Sequence, residues 1–141
     1  MKITQLHTLI REYIPHITFI DSEIQDIVEA ECHLWQQEDC ACIIDFGDRL
    51  PEKPQLLAIL NKIAKKLTWL NQQNDAILRV FTQESGLASD GATLQYVAFL
   101  IEDEQRIFCD FALNTPKLHE QIIEMSLEEN GEIIFNGIEN L

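Results

Sequence analysis

Apolar residues change their spacing along this chain, and each change marks an element. In ITQLHTLIREYI, Ile3, Leu6, Leu9, Ile10 and Tyr13 recur every three to four positions, which predicts one stripe of a helix that Pro15 ends. HITFIDSEI reads either as a short strand or as a loop. Ser22 with Gln25 three residues on could open a capping box and make 23–35 a helix. The period of two that follows favours a strand: Val28, Ala30, Cys32 and Leu34 alternate with Glu29, Glu31, His33 and Trp35. The polar QQED predicts a turn, CACIIDF a half-buried strand, and Gly47-Asp48 with Pro51 and Pro54 a loop.

From Gln55 the helical spacing returns. Leu56, Leu57, Leu60, Ile63, Ala64 and Leu67 share a face, then Ala76, Ile77, Val80 and Phe81, so 55–83 holds two helices or one kinked at Asn71–Asn74. SGLASDGA predicts a loop; TLQYVAFLI and RIFCDFAL predict strands joined by the acidic EDEQ. Thr115-Pro116 predicts a helical turn over 116–120. In SLEENGEIIF, Asn130-Gly131 between apolar segments predicts a hairpin with a type I′ turn. Together these elements predict one α+β domain over 1–141: an antiparallel sheet built from hairpins, with an N-terminal helix and a central helical segment packed on it.

Composition supports a folded globule, with 46% apolar residues in 141. No apolar run is long enough to span a membrane, and the N-terminus lacks the apolar core of a signal peptide, so a cytoplasmic protein with four reduced cysteines is expected. The formal charge of −14 is unevenly spread: +1 over 1–20, −9 over 21–52, +4 over 53–83 and −10 over 84–141. Such a balance excludes nucleic acid and anionic membranes as partners, because phosphate binding needs a supply of cations. It favours a basic protein, which the field of the acids would steer into contact.

One stretch looks chemical. EAECHLWQQEDCACIID carries Cys32, Cys40, Cys42 and His33. A hairpin centred between Gln37 and Glu38 would set His33 opposite Cys42 and Trp35 opposite Cys40, all on one face, with Cys32 turned away. A one-residue slip would bring Cys32 opposite Cys42 or Cys40 and carry His33 off that face. Zinc on His33, Cys40 and Cys42 would need a fourth ligand, with Cys109 the one remote thiol, and the spacing is C-x-C rather than C-x-x-C. The neighbouring Glu29, Glu31, Glu38 and Asp39 disfavour a reactive thiolate. The thiols are therefore expected to be core residues, with no metal and no cofactor. Asp45-Phe46-Gly47 lacks every companion motif of a kinase, and the scattered His7, His16, His33 and His119 form no triad, so no catalytic residue is assigned and no enzyme is expected.

Surface charge remains. Glu38-Asp39, Glu102-Asp103-Glu104 and Glu128-Glu129 fall at expected hairpin tips, and with Glu29 and Glu31 they are the candidate partner-binding residues. Acids on turns also guard sheet edges against aggregation.

The hairpin VEAECHLWQQEDCACIIDFGD, the loop RLPEKPQL leading into a helix and the terminal SLEENGEIIF resemble the small acidic immunity proteins of contact-dependent inhibition and related polymorphic-toxin systems. The resemblance lies in size, acidity and element order, and covers about half of the chain. It implies binding to a cognate toxin domain, commonly a basic nuclease, whose active site or substrate entry is blocked in the cytosol. Oligomeric state stays open between monomer and homodimer. A second resemblance is to type III secretion chaperones, through GATLQYVAFLIEDEQRIFCDFAL as their paired central strands. Their pattern ends in a helix and carries one central helix, whereas this chain predicts a terminal hairpin and a double helical stripe.

Overall fold

The computed structural model describes residues 1–22 and 26–140. In chain order the elements are α1 (Ile3–Tyr13), β1 (Ile17–Ile20), β2 (Ile27–Leu34), β3 (Gln37–Asp45), α2 (Lys53–Gln72), α3 (Asn74–Ser85), β4 (Thr93–Ile101), β5 (Ile107–Asn114), β6 (Gln121–Leu127) and β7 (Ile133–Asn140). The seven strands form one sheet in sequence order, which is the expected α+β class. Every neighbouring pair is antiparallel except β3 and β4, which run parallel because α2 and α3 cross over between them. A hairpin cannot make a parallel pair; the crossover can. The ambiguous segment after Pro15 is a strand, and so are residues 27–34, which removes the helical alternative there. The Gln25 end of the considered capping box lies outside the described residues.

Each element follows from its own residues. Residue 5 closes the start of α1, where the Gln5 carboxamide accepts a hydrogen bond from the Lys2 backbone N–H at 3.0 Å. α2 begins at Lys53, two residues before the start expected at 55, and Pro54 is tolerated in its first turn because those N–H groups have no intrahelical acceptor. The 55–83 stripe resolves into two helices, broken at Gln73, whose N–H still reaches the Trp69 carbonyl at 2.9 Å. Gly86, with φ +74°, ends α3 in the left-handed conformation that glycine adopts without steric cost. No helical turn forms over 116–120; one backbone bond, Leu118 N–H to the Thr115 carbonyl at 3.0 Å, makes a simple turn instead.

All three helices cover the same face of the sheet. Leu6 and Ile10 of α1, six residues of α2 (Leu56, Ile59, Leu60, Ile63, Leu67 and Leu70), and Ile77 and Phe81 of α3 join one continuous core. The sheet contributes Val28, Cys32, Cys42, Ile44, Val97, Phe99, Phe111 and Met125, among others. Full burial of each such side chain is worth about 1.5–3 kcal/mol before the entropy of ordering is subtracted. Among the described residues, no helix lies on the opposite face of the sheet.

The β2–β3 hairpin departs from the register centred between Gln37 and Glu38 and takes a slipped one, of the kind expected as the alternative. Cys32 lies opposite Cys40, Ala30 opposite Cys42 and Val28 opposite Ile44. The three thiols therefore share the core face, and His33 points to the other side, exposed. QQED is not the turn: Gln37, Glu38 and Asp39 belong to β3, and the turn is Trp35-Gln36, with φ +54° and +65°. Two positive φ values suit the right-handed twist of a two-residue hairpin, but they are unfavourable for side chains other than glycine, asparagine or aspartate. Tertiary bonds hold them. The Trp35 backbone N–H donates to Asn71 Oδ1 at 2.8 Å, and its indole N–H donates to the Leu70 carbonyl at 2.9 Å. Gln36 is exposed, so Gln36→Gly should raise stability by about 0.5–1 kcal/mol, read as an increased urea midpoint with unchanged slope. A lower midpoint would show that Gln36 is held by more than its backbone.

At Asn130-Gly131 the hairpin is where it was expected, but the turn is of another kind. Only Gly131 has positive φ, +86°. Its N–H bonds the Glu128 carbonyl at 2.9 Å, Glu128 N–H bonds the Glu132 carbonyl at 2.9 Å, and Asn130 Oδ1 accepts from Glu132 N–H at 3.0 Å. This is the longer loop, in which one left-handed glycine ends an ordinary turn.

Candidate functional site

The uncovered face of the sheet is read off strand by strand. One row runs Phe19, Glu31, Ala41, Tyr96, Ala112 and Glu124; the next runs Glu29, Ile43, Ala98, Asp110, Ser126 and Ile134. A third row, Ile27, Asp45, Leu100 and Phe108, crosses the end where β4 terminates. Large apolar side chains lie open here, with Phe19 51%, Phe108 49% and Leu100 46% exposed. The seven strands carry eight carboxylates and no lysine or arginine. The helical layer behind them is the reverse: α2 holds Lys53, Lys62, Lys65 and Lys66 and no acid. The sheet face is thus anionic and partly apolar, and the helices of the other layer carry six of the ten cations.

The two halves of this face differ in how their polar groups are satisfied. On the β4–β7 half, Glu124 and Asp110 have partners. Tyr96 donates its hydroxyl to Glu124 Oε1 at 3.1 Å, and Ser126 donates to Asp110 Oδ1 at 2.7 Å while accepting from Asn136 Nδ2 at 2.7 Å. Burial, and then the Glu124, Asp110 and Glu139 carboxylates, push the Tyr96 phenol up to about 12, which is a measure of how negative this neighbourhood is. On the β1–β3 half, the Asp21, Glu29 and Glu31 carboxylates make no hydrogen bond or ion pair with any described residue.

That half also contains a recess of about 290 Å³, lined by Phe19, Asp21, Glu29, Glu31, Ala41 and Ile43. A bulge in β1 creates it. Ile17 lies opposite Cys32 but Phe19 opposite Glu31, so Thr18 is one residue too many, and its hydroxyl bonds the Glu38 carbonyl at 2.8 Å. The extra residue turns Phe19 onto the open face.

The nine expected partner-binding acids fall in three places. Glu29 and Glu31 are on the open face. Glu38 and Asp39 are exposed at the end of the sheet near the Trp35-Gln36 turn. Glu102, Asp103, Glu104, Glu128 and Glu129 gather at the opposite end, where the β4–β5 and β6–β7 turns adjoin. Much of this last group is internally engaged. Lys66 pairs with Glu129 at 3.3 Å, Arg106 with Glu102 at 3.4 Å, and Lys62 Nζ donates to the Glu104 carbonyl. Asp103 builds its own turn, accepting from Gln105 N–H at 2.7 Å and Arg106 N–H at 2.9 Å. Phe19, Asp21, Asp45, Tyr96, Leu100, Phe108, Asp110 and Glu124 were not expected on the face. The alternation in IFCDFAL and the absence of cations from every strand were the available signals.

The thiols are all free and buried. Contact with Cys32, and then burial, push the Cys40 thiol well above the ordinary thiol range. The Cys40 thiol favours ionisation of Cys32, but contact with Cys42 and burial override it, and Cys32 is raised as well. Burial pushes Cys109 up to about 12 against the opposing pull of Lys66. Among the described residues, no three His, Cys, Asp or Glu side chains are placed to hold a metal ion, and no helix is long and apolar enough to cross a membrane. Comparison with protein-family models, with curated proteins and with solved structures finds no match to this chain.

Proposed function

We propose that this chain is an immunity protein: it binds a basic toxin domain in the cytoplasm of the producing cell and blocks that domain's active site or substrate entry. The observation that carries the reading is the segregation of charge, with a cation-free acidic sheet face on one layer and the lysines of α2 on the other. A nuclease domain must offer cations to phosphate, and an anionic surface with apolar patches competes for the same cations. The work is binding and occlusion, without catalysis. The chaperone pattern fits less well, since β6 and β7 form a hairpin where that pattern has a helix, and the crossover holds two helices.

The test is binding to the C-terminal domain of the toxin encoded directly upstream. Nanomolar binding is expected, with an association rate that falls about tenfold or more between low and near-physiological salt. Absence of an upstream toxin gene, or of binding to its domain, overturns the reading. A stable dimer wrapping an extended effector segment would support the chaperone instead.

A further inference from the structure

We infer that the β1–β3 half of the uncovered sheet face is the docking surface for a basic protein, and that the recess beside Phe19 takes one of its arginine or lysine side chains. This deepens the proposed function and rests on it for the nature of the partner.

Four observations converge on this half. No described element covers the face, yet it exposes aromatic and aliphatic side chains that water solvates poorly. Its strands supply no cation to offset their carboxylates. In the β4–β7 half and the far turns, the carboxylates of Glu124, Asp110, Glu129, Glu102 and Asp103 are engaged within the chain, by Tyr96, Ser126, Lys66, Arg106 and the backbone of residues 105–106. Asp21, Glu29 and Glu31 have no such partner among the described residues, and they ring a recess whose floor is apolar.

The shape suits a long cationic side chain. Ala41 lies opposite Glu31 and Ile43 opposite Glu29, so an aliphatic stem can lie on Ala41 and Ile43 while its head reaches the two carboxylates. Glutamates two residues apart on one strand offer two acceptors on one side, which a planar guanidinium can fork. Phe19, the cross-strand neighbour of Glu31 and part of the recess lining, gives the cation an aromatic wall. A neutral or anionic side chain gains none of this. The occupant is therefore a basic protein segment.

The experiment is a titration of the isotope-labelled full chain with a short peptide alternating arginine and glycine, against the same peptide with citrulline, a neutral isostere, at each arginine. Saturable amide shifts centred on Phe19, Glu29, Glu31, Ala41 and Ile43 are expected for the arginine peptide only. Glu29→Gln with Glu31→Gln should weaken binding about tenfold, the equivalent of one charge-assisted hydrogen bond, and Glu102→Gln with Glu104→Gln should leave it within about twofold. Shifts centred on 102–106 and 128–132, equal binding of the citrulline peptide, or no saturable shift overturns the inference. A chain that binds the peptide here but no toxin domain keeps the docking surface and loses the immunity reading. One that binds the toxin domain with the recess unperturbed does the reverse.

Discussion

Cys42→Asn should destabilise the protein by about 3–5 kcal/mol, whereas His33→Asn should stay within about 0.5 kcal/mol. Cys42 is fully buried on β3, with Ala30 of β2 on one side and Val97 of β4 on the other, and α2 packs over that face. An amide there finds every neighbouring backbone group already committed to the sheet. An unmet polar group costs about 1–3 kcal/mol, and forcing a larger side chain into a filled core costs about 1–3 kcal/mol more. His33 is exposed on the other side of the sheet, so an amide in its place meets water. Urea unfolding of the two variants measures the difference directly. Similar losses for both would mean that the two residues share a face, as a hairpin centred between Gln37 and Glu38 requires, and would overturn the observed register.

That contrast also shows where the sequence was legible. Alternation over 28–35 named a strand and its two faces, because a period of two is a local property. It could not name the partner residue, since register was inferred from turn chemistry and the turn here breaks the usual rule. Trp35 and Gln36 occupy the two left-handed positions because Asn71 and Leu70, distant in sequence, bond Trp35. Conversely, Asn130-Gly131 carries the usual two-residue signature but forms a longer loop around one left-handed glycine. The parallel β3–β4 pair was hidden for a related reason: nothing local distinguishes a strand that closes a hairpin from one that waits for a crossover.

The candidate site was legible in its chemistry and not in its place. Glu29 and Glu31 are on the open face because they alternate with Val28, Ala30 and Cys32. The run at 128–129 is less available than it looks, because only the fold brings Lys66 to Glu129, and Lys62 reaches the Glu104 backbone carbonyl. Phe19 reached the face through a bulge at Thr18, which no periodicity in a four-residue strand can reveal. The lack of lysine and arginine in every strand could be counted beforehand, once the strands were named.

The thiols lead to the second large effect. In the native protein at pH 8, a bulky disulfide reagent should label the cysteines about a thousandfold or more slowly than in urea, where all four should react. Reaction needs a thiolate that the reagent can reach, and here both conditions fail together. Cys32, Cys40 and Cys42 are enclosed between the sheet and the helices, and the first two hold their protons far above the ordinary range. The same property makes the fold sensitive to alkali. Cys109 ionises near 9 when unfolded and at about 12 when folded, so between those values the native state binds more protons than the unfolded chain. Its contribution to stability is complete below pH 9 and is lost as pH rises toward 12, at up to about 1.4 kcal/mol per pH unit. Urea midpoints should therefore fall steadily above pH 9, and Cys109→Ala, whatever it costs at neutral pH, should show a shallower fall. Rapid labelling of any thiol in the native state at pH 8 would place that sulfur at the surface and reopen a chemical role for it.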